Sequence, residues 1–235
     1  MTLASCDSRK TAGENPFFTE WDTPHGVPPF DKILPEHFMP AFERGMSLHE
    51  AEIDAITSNK DEATFENTIL AYDNAGQMLA QTELVFGMLC AAETNDRMQA
   101  LQEQAMPLLA AHRDKIRLDD KLFVRVKEVY DRRAALGLDA EPMRLLQKTY
   151  DSFVRAGALL DAEQKARLKE INGQLSLTAV KFGNNILAEN NNFVLELKSD
   201  ELDGLPAGIR DAAREKAQQM GKGDKWVFTL HKPSL

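Results

Sequence analysis

Apolar residues recur along most of this chain at spacings of three and four, the period of a helix that buries one face. Phe38, Phe42, Met46, Ile53 and Ile56 form one such stripe, which runs from Pro35, a residue suited to a first helical turn, to about Asn59. Thr64 then caps a run whose apolar positions include Phe65, Ile69, Tyr72, Leu79 and Phe86, predicting a single second helix. A third helix is expected from about Asn95 to Arg117, interrupted near Pro107 by a kink. A fourth covers Lys121 to Ala135 through Leu122, Val126, Val129 and Tyr130, and Gly137 ends it. A fifth begins near Glu141-Pro142 and runs into Val154.

The longest element follows. Asp161 with Gln164 makes a capping-box pattern, and Leu168, Ile171, Leu175, Phe182 and Ile186 continue a helical stripe to about Ala188. That is a strut of roughly 40 Å at about 1.5 Å per residue. Lys165, Arg167, Lys169 and Glu170 read as its solvated face, and Asn190-Asn191-Asn192 as its stop. Beyond it the period falls to two: Phe193, Leu195 and Leu197 alternate with Val194, Glu196 and Lys198. A helix over about Pro206–Met220, a turn at Gly221-Lys222-Gly223-Asp224 and a second strand at Trp226–Leu230 complete the pattern. The two strands predict a small ribbon beside an otherwise all-α fold.

The ends differ from the middle. Residues 1–15 are small, polar and aperiodic, a tether expected to be disordered. Over 16–34, Phe17, Phe18, Trp21 and Phe30 alternate with prolines that forbid a helix, which suggests an arm lying on the body. A helical domain then occupies 35–190, and 191–235 reads as the truncated start of an α+β segment. The sequence stops at Pro233-Ser234-Leu235 with neither a polar tail nor a helix end, which is what suggests the truncation.

Composition narrows the function. Hydrophobic residues make up 43% of the chain and charged residues 28%, as in ordinary globular proteins. No stretch approaches the roughly 20 apolar residues of a membrane-spanning helix. The formal net charge of -9 argues against nucleic acid as a partner, which requires basic surface. Only two cysteines occur, Cys6 and Cys90, too few for a disulfide framework or a finger-type zinc site. Leu3-Ala4-Ser5-Cys6 resembles a bacterial lipobox, so Cys6 is the candidate lipidation site. Only Met1-Thr2 stand where a signal peptide needs an apolar segment of about 7–15 residues. A lipid on Cys6 would place the protein in the cell envelope or periplasm and give its one route to a membrane. Without it, a cytoplasmic location is expected.

Candidate catalytic groups are sparse. The histidines are His25, His37, His49, His112 and His231, with no HxH or HxxH pair. His49-Glu50-Ala51-Glu52-Ile53 carries the first half of HExxH, but Ile53 stands where the second ligand must be. A catalytic zinc needs three protein ligands, so His49 reads as a residue near the inner stripe of the first helix. His112 and His231 read as surface or packing residues, Asp119-Asp120 as a helix cap and Cys90 as a small buried hydrophobe. No GxSxG, P-loop or GxGxxG is present. No catalytic or metal residue is assigned, and no cofactor is expected on this chain itself.

Several stretches carry a resemblance. They are Pro29-Phe30-Asp31-Lys32-Ile33, Glu36-His37-Phe38-Met39-Pro40-Ala41-Phe42, Thr64-Phe65-Glu66-Asn67-Thr68-Ile69 and Leu122-Phe123-Val124-Arg125-Val126. Phe153-Val154-Arg155-Ala156-Gly157-Ala158, Leu202-Asp203-Gly204-Leu205-Pro206 and Trp226-Val227-Phe228-Thr229-Leu230 continue them in order. Together they resemble the N-terminal region of the thimet oligopeptidase family, in its bacterial peptidyl-dipeptidase branch, with oligopeptidase A as neighbour. The resemblance implies a largely helical enzyme of two lobes around a channel. Its zinc and the HExxH helix lie beyond Leu235, and its substrates are short peptides, cut to release C-terminal dipeptides. This region would be a channel wall that lacks catalytic residues and needs the missing C-terminal region as its partner. The alternative is a free-standing helical module that binds peptides without cutting them. The reading frame past Leu235 separates the two.

Overall fold

The computed structural model describes residues 15–230. Cys6, His231 and Pro233-Ser234-Leu235 lie outside the described residues. The fold is all-α with one two-stranded ribbon. Its helices are α1 (Phe38–Ser58), α2 (Ala71–Asp73), α3 (Gln77–Ala92), α4 (Asp96–Arg117), α5 (Asp120–Asp131), α6 (Ala140–Arg155), α7 (Ala162–Asn192) and α8 (Ala207–Gln219). The chain divides into two compact units, one up to Leu177 and one from Thr178 onward.

Polar side chains start the helices as their spacing predicts. Asn95 Oδ1 accepts the Met98 amide at 3.1 Å, and Asp119 Oδ1 accepts that of Leu122 at 2.7 Å. Asp161 and Gln164 close a reciprocal box, with Oδ1 accepting the Gln164 amide at 2.8 Å and Oε1 accepting the Asp161 amide at 3.1 Å. The end of α6 is a Schellman turn. Ala158 donates its amide to the Phe153 carbonyl and Gly157 donates to that of Val154, with Gly157 at φ 98°.

The first unit holds two apolar clusters. Phe38, Phe42, Leu79, Val85, Phe86 and Leu109 interlock where α1 meets α3 and α4, and Phe17 of the arm inserts beside Phe38 with ring centroids 5.4 Å apart. Gly45 allows the α1–α3 approach, since a Cβ there would lie 3.0 Å from the Leu79 backbone. The other cluster gathers Ile53, Ile69, Leu122, Val126, Leu146 and Phe153 between α1, α5 and α6. In the second unit, β1 (Leu195–Leu197) pairs antiparallel with β2 (Trp226–Phe228), and α8 packs on β2. Glu196 faces Lys222 and Lys225, whose hydrogen bonds hold its carboxyl down at about 2.

Four expectations change. The run from Thr64 to Phe86 is not one helix: a π-helical turn at Phe65–Leu70 leads into α2, and Gly76 at φ 75° breaks the chain before α3. The π turn keeps the Thr64 cap, whose Oγ1 accepts the Asn67 amide at 3.1 Å. The helix continues through Pro107. Asn190–Asn192 form the last residues of α7 rather than its stop, so α7 is longer than its apolar stripe. Lys165 is buried, not solvated. Its ammonium donates to Asp120 Oδ1 at 2.5 Å and approaches the Leu118 carbonyl beyond the end of α4, where the helix dipole favours a cation. The other residues of that face, Arg167, Lys169 and Glu170, are exposed as expected.

Candidate functional site

A polar cluster lies where α1 and α4 pack together. His49 projects from α1 and His112 from α4, with His49 Nδ1 3.0 Å from His112 Nε2. One ring must donate and the other accept, so both cannot be protonated while the bond persists. Glu50 sits on the outer side of His112, its Oε1 3.5 Å from His112 Nδ1, and Lys115 Nζ binds its other oxygen at 2.8 Å. Glu52, farther along α1, accepts the Gly76 amide at 2.7 Å. Gly76 is thereby held against the pair. A Cβ on it would come within 3.0 Å of His49 Nδ1, so the break before α3 and the histidine bond form one unit. A cleft of about 170 Å³ opens beside them, with Tyr72, Glu83, Arg113 and Arg117 among its walls.

Burial sets the titration of this cluster. It lowers both imidazoles, and the neighbouring His112 lowers His49 further, while Glu50 and Glu52 oppose. The hydrogen bond from Lys115 holds the Glu50 carboxyl below the usual range. Burial raises the Tyr72 hydroxyl, and Arg117 partly offsets this. A neutral, mutually bonded imidazole pair is a clasp between two helices. Burial also pushes up the half-buried Cys90 thiol, which keeps it protonated rather than nucleophilic.

The pair makes stability pH-dependent. An unfolded histidine titrates near 6.5, and both folded values lie lower, so the unfolded chain binds more protons across that window. The contribution is present above about pH 6.5 and is lost as pH falls through the folded values. Urea midpoints measured from about pH 7.5 to 5 are expected to drop for the parent. They are expected to drop less for His112→Gln, which can keep one hydrogen bond without titrating. Equal slopes in the two proteins would remove the pair as the cause.

The sequence candidates fall as follows. His49 and His112 come together although they lie far apart in the chain, a contact no spacing signals. His37 is buried, and its Nδ1 accepts the Leu34 amide at 3.1 Å. Asp119 caps α5 and Asp120 pairs with Lys165. Cys6 and His231 lie outside the described residues. A catalytic zinc requires at least three protein ligands, and among the described residues no three His, Cys, Asp or Glu side chains gather to supply them. The described residues do not fit a zinc ion.

No protein-family model matches the chain. Over 217 residues, 92% of the chain, it is 38% identical to the dipeptidyl carboxypeptidase of Escherichia coli (strain K12), of which that stretch is 32%. It is 24% identical over 213 residues to oligopeptidase A of the same organism, covering 31% of that protein. Over 175 residues it is 23% identical to the thimet-like oligopeptidase of Dictyostelium discoideum. The chain is an N-terminal region of the thimet oligopeptidase family. It spans about a third of the length of the curated relatives it matches. The segments that carry the family resemblance serve the scaffold: Phe38, Phe42, Ile69, Leu122, Phe153 and Val227 are almost wholly buried, and Thr64 and Asn67 build a cap.

Proposed function

We propose that this chain is the non-catalytic part of a zinc-dependent peptidase that acts on short peptides and releases dipeptides from their C-termini. In this reading it forms a wall of the substrate channel, and the residues that hold zinc belong to the part of the protein outside it. The observation that carries the proposal is the 38% identity to a dipeptidyl carboxypeptidase across 92% of the chain. A second observation supports it. Ile171, Leu175, Phe182 and Ile186 share one side of α7 and are all substantially exposed, with Leu175 at 62% and Phe182 at 65%. Such an apolar row is what the rest of a larger protein would cover.

The test compares two proteins on internally quenched short peptides. One is this chain alone, and the other is the gene product extended to the length of its relatives. The extended protein is expected to cleave, to lose activity to a chelator and to regain it with zinc. The chain alone is expected to be inert with or without zinc. Zinc-dependent cleavage by the chain alone would overturn the proposal, as would an inert extended protein.

A further inference from the structure

One face of α6 is cationic. Arg144, Lys148, Ser152 and Arg155 follow one another at spacings of four, four and three, so they share a side of the helix, while Leu146, Thr149 and Phe153 are buried on another. Arg117, the last residue of α4, faces the same space. With Asp151 and Ala156 these side chains line a groove of about 540 Å³. Its four cations face one carboxylate, and Asp151 accepts a hydrogen bond from Gln147 Nε2 at 2.9 Å.

The concentration of positive charge is unusual for this chain, whose net charge is -9. Among the described residues, Arg113, Lys115, Lys127, Arg132 and Lys165 each form an ion pair. Arg117, Arg144, Lys148 and Arg155 form no ion pair among the described residues. Helix ends account for Arg117 and Arg155, which sit where the dipole favours a cation. Arg144 and Lys148 lie well before that end of α6 and gain nothing from it. Guanidinium forks match the paired oxygens of phosphate and carboxylate groups. From Arg144 to Arg155 the helix rises roughly 16 Å at about 1.5 Å per residue, more than one phosphate or carboxylate can span. Ala156 is the sole apolar residue of the lining, so the groove offers no recess for a peptide side chain, and it has no aromatic ring on which a base could stack.

We propose that this groove binds a linear polyphosphate of three or more linked phosphates, recognised through its charged oxygens by Arg117, Arg144, Lys148 and Arg155. Calorimetric titration of the protein with inorganic tripolyphosphate tests it, with orthophosphate, a nucleoside triphosphate and a tri-glutamate peptide as separate arms. Tripolyphosphate is expected to bind, more weakly as salt rises. The nucleoside triphosphate is expected to bind no tighter, and orthophosphate and tri-glutamate at least roughly ten-fold more weakly. Arg144→Gln with Arg155→Gln is expected to weaken tripolyphosphate binding roughly ten-fold or more, whereas Arg167→Gln on α7 leaves it unchanged. All three variant positions are exposed, and circular dichroism verifies that the fold is kept. Absence of tripolyphosphate binding, equal binding by the double variant, or preference for tri-glutamate or the nucleotide would each overturn the proposal.

Discussion

Truncation of Phe153 to alanine is expected to lower the unfolding free energy by about 3–5 kcal/mol, the range for a large buried aromatic. Phe153 is 1% exposed, and its ring meets Tyr72 at 5.2 Å and Phe123 at 6.1 Å between centroids. It therefore joins α2, α5 and α6 through one side chain. The site cannot collapse readily, because the backbone around it is pinned. The Phe153 carbonyl accepts the Ala158 amide, and a Cβ on Gly157 would already lie 2.8 Å from Leu160 and Leu168. Phe153→Leu keeps much of the volume and is expected to lose under about half as much. Urea denaturation of the three proteins measures the difference. A loss below about 1 kcal/mol for the alanine variant would mean that the core repacks around the vacancy.

Arg125→Ala is expected to cost about 3–5 kcal/mol, by another route. Arg125 is 8% exposed, yet its guanidinium reaches amide and carbonyl oxygens rather than a carboxylate. Nη1 donates to the Asn59 and Asp61 carbonyls at 3.0 and 3.1 Å, and Nη2 donates to Asn67 Oδ1 at 3.1 Å. Asn67 Oδ1 also accepts the Thr64 amide and the Thr68 hydroxyl, so one side chain of α5 holds both the loop after α1 and the cap of the π turn. A hydrogen bond to a charged group contributes about 1.5–3 kcal/mol, and removal of the arginine strands the Asn59 and Asp61 carbonyls together. Arg125→Lys retains charge but not the fork, and an intermediate loss is expected. If alanine and lysine variants match the parent in urea midpoint, the network contributes nothing to stability.

The elements legible in the sequence were those specified locally. Asn95, Asp119 and Asp161 cap helices because each side chain reaches an amide only three residues away. The ribbon was legible because alternation survives in both strands. Elements specified by contacts across the fold were not. Glu52 and His49 of α1 hold the break at Gly76, and nothing around residue 76 announces them. Lys165 looked solvated because its partner Asp120 lies on another helix. The stripe on α7 is real in period, yet Ile171, Leu175, Phe182 and Ile186 are exposed, since periodicity reports a face made for burial and not what covers it. The cationic face of α6 was present in the spacing of Arg144, Lys148 and Arg155, but its significance depended on Arg117 arriving from α4.

The ribbon has a kinetic meaning. β1 pairs Leu195 with Phe228, and the whole of α8 lies between them. A ladder of three residues on each side returns little for closing so long a loop, and closure must come before any of that return. α8 needs no such closure, because its hydrogen bonds are local and it can form first. Once formed, it shortens the search by carrying Lys222 and Lys225 toward Glu196. The order of events expected in this unit is helix first, ion pairs next and strand pairing last.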